Sequence, residues 1–107
     1  MSFSVKEITY KDLKSFSVEL EFIIACSRVE GIDLLKLSLL NENMAKRFEN
    51  SAIKLLRAMK RDGIIKLYLF ERDLGVQEKM ESVYLLNKFP SLSEIKELSE
   101  SSIYVKL

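Results

Sequence analysis

Six basic residues, Lys46, Arg47, Lys54, Arg57, Lys60 and Arg61, crowd into the stretch NENMAKRFENSAIKLLRAMKR (Asn41–Arg61). Placed at about 100° per residue, they gather on one side of a helix, while Ala45, Phe48, Ala52, Leu55, Leu56 and Met59 share the other. Lys54, Arg57 and Arg61 follow the spacing i, i+3, i+7 and form a row; Lys46, Arg47 and Lys60 flank it. Guanidinium and ammonium groups in such a row suit the binding of successive phosphates, with release of counterions. The solvent-facing alternative is that the cations serve the helix itself, since Arg57, Lys60 and Arg61 stand near its negative C-terminal pole.

Other chemistry is thinly represented. The chain of 107 residues contains no histidine and one cysteine, Cys26. Histidine is the usual general base and a common metal ligand, so its absence removes Ser-His-Asp and Cys-His arrangements and argues against structural zinc. Cys26 lies in an apolar run and reads as a buried, inert thiol. The three glycines, Gly31, Gly63 and Gly75, are too dispersed for a phosphate-cradling loop. Glu19 and Glu21 point to different sides of a helix; Asp33 at a strand start and Asp73 in a turn read first as solvated acids or caps, with a catalytic role, as in an enzyme using dispersed carboxylates, the alternative. The reading is therefore of a protein that binds rather than catalyses, with no cofactor and no metal.

Formal net charge is +1, so anion binding depends on local segregation of charge. Glu42–Asp62 holds six basic and three acidic residues, whereas Glu71–Leu107 holds seven acidic and five basic. Composition is that of a globular chain, 48% apolar and 31% charged, and residues 1–107 are expected to form one domain. MSFSVKEITYKD lacks the pattern of a secretory signal. No apolar run approaches the roughly 20 residues of a membrane span. A cytoplasmic location is expected.

The elements that must position the basic row can be read in order. Phe3–Tyr10 is expected to be a strand, with a slip of alternation at Glu7–Ile8. Ser17–Gly31 alternates like a strand, yet Val18, Phe22, Ala25, Cys26 and Val29 also follow a helical pattern. Ser17 as N-cap, Glu19 and Glu21 in a first turn, and Gly31 as a stop favour helix. Ile32–Leu40 reads as a buried strand, after which Asn41 or Asn43 can cap the central helix and Gly63 can stop it. Ile64–Glu71 is the strongest strand and is expected inside the sheet. Strand, helix and strand over 32–71 predict a right-handed βαβ unit with parallel strands.

Beyond Arg72–Gly75, Val76, Met80, Val83 and Leu86 or Tyr84 can share a helix face, although SVYLL is equally compatible with a strand. Ser91-Leu92-Ser93-Glu94 has the form of a capping box opening a helix through Leu98. Ser101–Leu107 is expected to be an edge strand. The predicted fold is a single small α/β (or α+β) domain with a three- to four-stranded mixed sheet and three to four helices.

IIKLYLFERD (Ile64–Asp73) after a helix, followed by VYLLNKFPSLSEIKEL (Val83–Leu98), resembles the C-terminal half of the small accessory, PRPK-binding-protein type, subunit of the KEOPS tRNA-modifying complex. The strand Leu34–Leu40 leading through Asn41–Asn43 into Met44-Ala45 is similar to that family's strand-to-helix step. The resemblance spans residues 17–98 and carries no individual residue role. It implies a non-catalytic α/β protein that binds a kinase-type subunit and engages tRNA for N6-threonylcarbamoyladenosine synthesis. The alternative is a structural protein–protein interaction module or homo-oligomer with no nucleic-acid role.

Overall fold

The computed structural model describes the backbone of residues 5–10, 13–39, 45–76, 78–99 and 101–107, and the side chains of these except 13, 14, 17, 39 and 45–49. Four strands form one mixed sheet: β1 (Val5–Tyr10), β2 (Leu34–Leu39), β3 (Leu67–Phe70) and β4 (Ser102–Lys106). Three helices connect them: α1 (Leu13–Val29), α2 (Ala45–Arg61) and α3 (Met80–Lys88). Strand order is β1-β2-β4-β3. β1 and β2 pair in parallel, with Val5 opposite Leu34. β4 pairs antiparallel with both β2 and β3, placing Tyr104 opposite Lys36 on one side and Leu69 on the other. The fold is the expected small α/β domain, and its radius of gyration of 13.0 Å matches one globule of about 100 residues.

The order of strands explains the layers. The chain advances from β1 to β2 and again from β2 to β3 in the same direction across the sheet. Right-handed crossovers of that kind put both connecting helices on one face. Phe16, Leu20 and Ile24 of α1 and Ala52, Leu56 and Met59 of α2 accordingly join Leu35, Leu37, Ile103 and Val105 in one core. Each fully buried leucine there contributes about 2 kcal/mol. The connection from β3 to β4 covers the other face, where Leu74, Leu85, Phe89 and Leu92 pack on Leu34, Leu69 and Tyr104.

Both long helices end in the same way. Gly31 and Gly63 adopt φ of 77° and 76°, a conformation open to glycine without strain. The amide of Gly31 bonds the Arg28 carbonyl and that of Ile32 the Ser27 carbonyl; Gly63 and Ile64 repeat the pattern with Lys60 and Met59. This pair of bonds satisfies the last carbonyls of each helix. Ile32 and Ile64, the residues just beyond, tuck against the first core.

Several expectations are corrected. β2 and β3 run parallel, but β4 lies between them, so the adjacent parallel unit is β1-α1-β2. β3 is an edge strand and β4 is interior, with Ser102–Lys106 buried throughout. A sheet cannot reveal its order through one strand's composition: Ser102, Tyr104 and Lys106 look like a wet face until α3 and its flanking turns fold over them. β1 alternates without a slip, Lys6, Ile8 and Tyr10 being the more buried set. α1 starts at Leu13, so Ser17 lies inside it and its first turn holds no acid. Its buried side is Phe16-Leu20-Ile24, leaving Val18, Phe22 and Val29 outside, and Cys26 is half-buried rather than buried.

The segment before Pro90 is helix, not strand. Ser82 and Leu85 are its buried residues, while Val76, Met80 and Val83 are exposed. Pro90–Glu94 is a short 3-10 turn with no side-chain cap bond, in place of a capped helix through Leu98; Ser93 Oγ donates instead to the Pro90 carbonyl at 2.7 Å. The caps expected at Asn41 and Asn43 lie outside the described residues.

Tyr10 closes the first core, its ring meeting Phe16 edge-on at 5.1 Å. Its hydroxyl is buried and has no hydrogen-bond partner among the described residues. Burial, followed by the charge of Glu19, pushes its pKa up from 10.0 to about 12. Because the unfolded chain releases this proton first, stability is intact below pH 10 and falls as pH rises from there to about 12. Tyr10→Phe should match or exceed the wild type in urea melts at pH 7 by up to about 1 kcal/mol. It should also fall less steeply above pH 10. A variant that is clearly less stable at neutral pH would show that the hydroxyl is satisfied.

Candidate nucleic-acid interface

Helix α2 folds with one face committed and one left free. Ala52, Leu56 and Met59 are buried against the sheet, whereas Lys54, Arg57, Lys60 and Arg61 are exposed. The structure therefore brings four of the six sequence-predicted residues onto one outer surface. The other two, Lys46 and Arg47, lie in the first turns of the same helix, and their side chains are outside the described set.

The four cations are not equivalent. Arg61 Nε reaches Asp62 Oδ1 at 3.4 Å, with both groups well exposed. Lys60 Nζ stands 4.0 Å from Glu81 Oε1 on α3. Exposed pairs at such distances contribute little, roughly 0 to 1 kcal/mol, and yield readily to a stronger anion. Lys54 and Arg57 have no acidic partner among the described residues. They supply the net positive charge of the face.

Arg57 and Lys60 also border a cleft of about 340 Å³. Its other walls are Ile53, the edge strand at Tyr68, Leu69 and Phe70, and the acid–base set Asp73, Lys79 and Glu81. Lys79 Nζ holds Asp73 Oδ2 at 2.9 Å, so both carboxylates in the cleft have a lysine partner. No group of three or more potential metal ligands occurs among the described residues. The cleft thus offers cations, one half-buried tyrosine and the backbone edge of β3. Tyr68 reads from sequence as a core or edge residue; its place beside Arg57 and Lys60 follows from β3 standing at the sheet edge next to α2.

A second polar cluster sits on the opposite face of the sheet. Glu71, at the end of β3, is 2% exposed. Its Oε1 accepts the Ser99 amide at 3.1 Å, and its Oε2 accepts the Tyr104 hydroxyl at 3.3 Å. Lys36 Nζ lies 3.2 Å from the same Oε2 and 5.9 Å from the Tyr104 ring centroid. Burial, then the neighbouring Glu71 charge, drives the Tyr104 pKa far above its usual value. Both carboxylate oxygens have partners, so the cluster ties β2, the end of β3, β4 and the Ser99 turn together. On β4, burial followed by the nearby Lys66 lowers the Lys106 pKa.

Comparison of the chain with protein-family models, curated proteins and solved structures yields no match. The geometry defines a class, a small mixed-sheet α/β domain with two helices on one face, one on the other, and a basic outer helix surface. No helix among the described residues is long and apolar enough to cross a membrane.

Proposed function

We propose that the protein is a non-catalytic, cytoplasmic binding subunit that grips RNA, in the first instance tRNA, through the outer face of α2. The carrying observation is the row Lys54-Arg57, exposed and without acidic partners among the described residues, continuing to Lys60 and the Tyr68-lined cleft. The row can follow a phosphate backbone. The cleft beside it combines cations with an aromatic ring, the pairing that captures an unstacked base in a loop or single strand. Lys46 and Arg47 extend the same helix toward its N-terminus. The resemblance to the KEOPS accessory subunit supports a role beside a kinase-type partner in threonylcarbamoyladenosine modification of tRNA.

Fluorescently labelled tRNA titrated with the protein at low salt is the entry test. Saturable binding is expected, and weakening as salt is added. Absence of binding at low salt removes the RNA reading and leaves a protein–protein module.

A further inference from the structure

Helix α1 carries two apolar stripes, and the one used by the core is Phe16-Leu20-Ile24, with Ile23 packed beside it. The other stripe is Val18, Phe22, Ala25 and Val29, all exposed; Val18, Phe22 and Val29 are open to 73%, 71% and 90%. Their spacing keeps them on one face over about 16 Å of helix. A continuous exposed apolar stripe flanked by charges is the mark of an interface.

We infer that this stripe is the contact between two copies of the chain, with their α1 helices antiparallel about a twofold axis midway between Phe22 and Ala25. The stripe is self-complementary in that arrangement, as a twofold contact requires. Val18 meets Val29 of the second copy at each end, and the Phe22 ring sits over the small Ala25 in the middle. Glu21 and Arg28 lie on the same flank, seven residues apart, and neither has an ion-pair partner among the described residues. Antiparallel pairing brings each Glu21 to within about 3 Å, along the helix axis, of the other copy's Arg28. Parallel pairing would instead set Glu21 beside the second copy's Glu19, like charge against like, and its one attractive contact, Arg28 to the second copy's Glu30, is blunted because Lys6 already meets that carboxylate. On the other flank Glu30 approaches the second copy's Glu19, but Glu30 is already held by Lys6 at 3.2 Å. Sequence periodicity alone assigns this stripe to the core; its exposure is what frees it for a second copy. The contact is distinct from the α2 surface, so it holds or fails independently of RNA binding.

Analytical ultracentrifugation from about 5 to about 500 µM, a range suited to a small interface, tests the inference. The wild type should pass from monomer to dimer mass, and Phe22→Asp should stay monomeric with unchanged circular dichroism, since Phe22 supports no core. Glu21→Arg and Arg28→Glu should each weaken the dimer about threefold, the worth of a rim ion pair, and the two together should restore it. A wild type that stays monomeric throughout overturns the inference, as does a dimer indifferent to Phe22→Asp. Failure of the double charge reversal to recover affinity overturns the antiparallel geometry.

Discussion

Replacing Glu71 by alanine should lower the unfolding free energy by about 3 kcal/mol, through loss of a buried anion on which three groups converge. The substitution leaves Tyr104 Oη without its acceptor, the Ser99 amide without its carboxylate, and Lys36 without its counter-charge. Buried polar groups stripped of a partner incur their full desolvation penalty. Lys36 retains 24% side-chain exposure, so water recovers part of its loss, which holds the effect to the lower end of the range for broken buried pairs. Glu71→Gln should be milder, because the amide oxygen can still accept from Ser99 while the charge is gone. Urea unfolding checks both: the midpoint should fall with little change in slope. A Glu71→Ala midpoint equal to that of the wild type would mean that the cluster does not brace β4 between its neighbours.

The second large effect concerns the proposed interface. Lys54→Ala, Arg57→Ala and Arg61→Ala combined should leave the fold intact, since exposed substitutions usually change stability by less than about 0.5 kcal/mol. The same variant should bind tRNA about two orders of magnitude more weakly near ~100 mM salt, if each cation neutralises one phosphate. Lys96→Ala, an exposed cation in the turn before β4, is the control and should bind as the wild type does. Equal loss in the control would indicate a response to net charge rather than to the α2 row.

The basic face was legible because α2 has only one apolar stripe: once Ala52, Leu56 and Met59 go inward, Lys54, Arg57, Lys60 and Arg61 have no other place to go. α1 offered no such guidance. Phe16-Leu20-Ile24 and Val18-Phe22-Ala25-Val29 are both apolar and both helical in spacing, and only the neighbouring sheet chooses between them. The interior place of β4 is hidden from its own sequence for a related reason. Its polar residues are inward partners of a cover built from the 71–101 connection, and Tyr104 finds its acceptor on Glu71, 33 residues away. Glu71 itself continues the inward alternation from Leu69, a signal present in the strand but masked by its charge. The cleft beside α2 depends on β3 being an edge strand, which pattern and propensity within β3 do not specify.

The central claim is that the outer face of α2 meets a nucleic-acid backbone. Its most direct test is the salt dependence of tRNA affinity, measured in parallel for the wild type and the Lys54/Arg57/Arg61→Ala variant. With Lys54, Arg57, Lys60 and Arg61 on phosphates, log K against log salt should fall with a slope of about −3 to −4. The triple variant should retain a slope of about −1. Identical slopes for the two proteins, whatever their affinities, would contradict the claim.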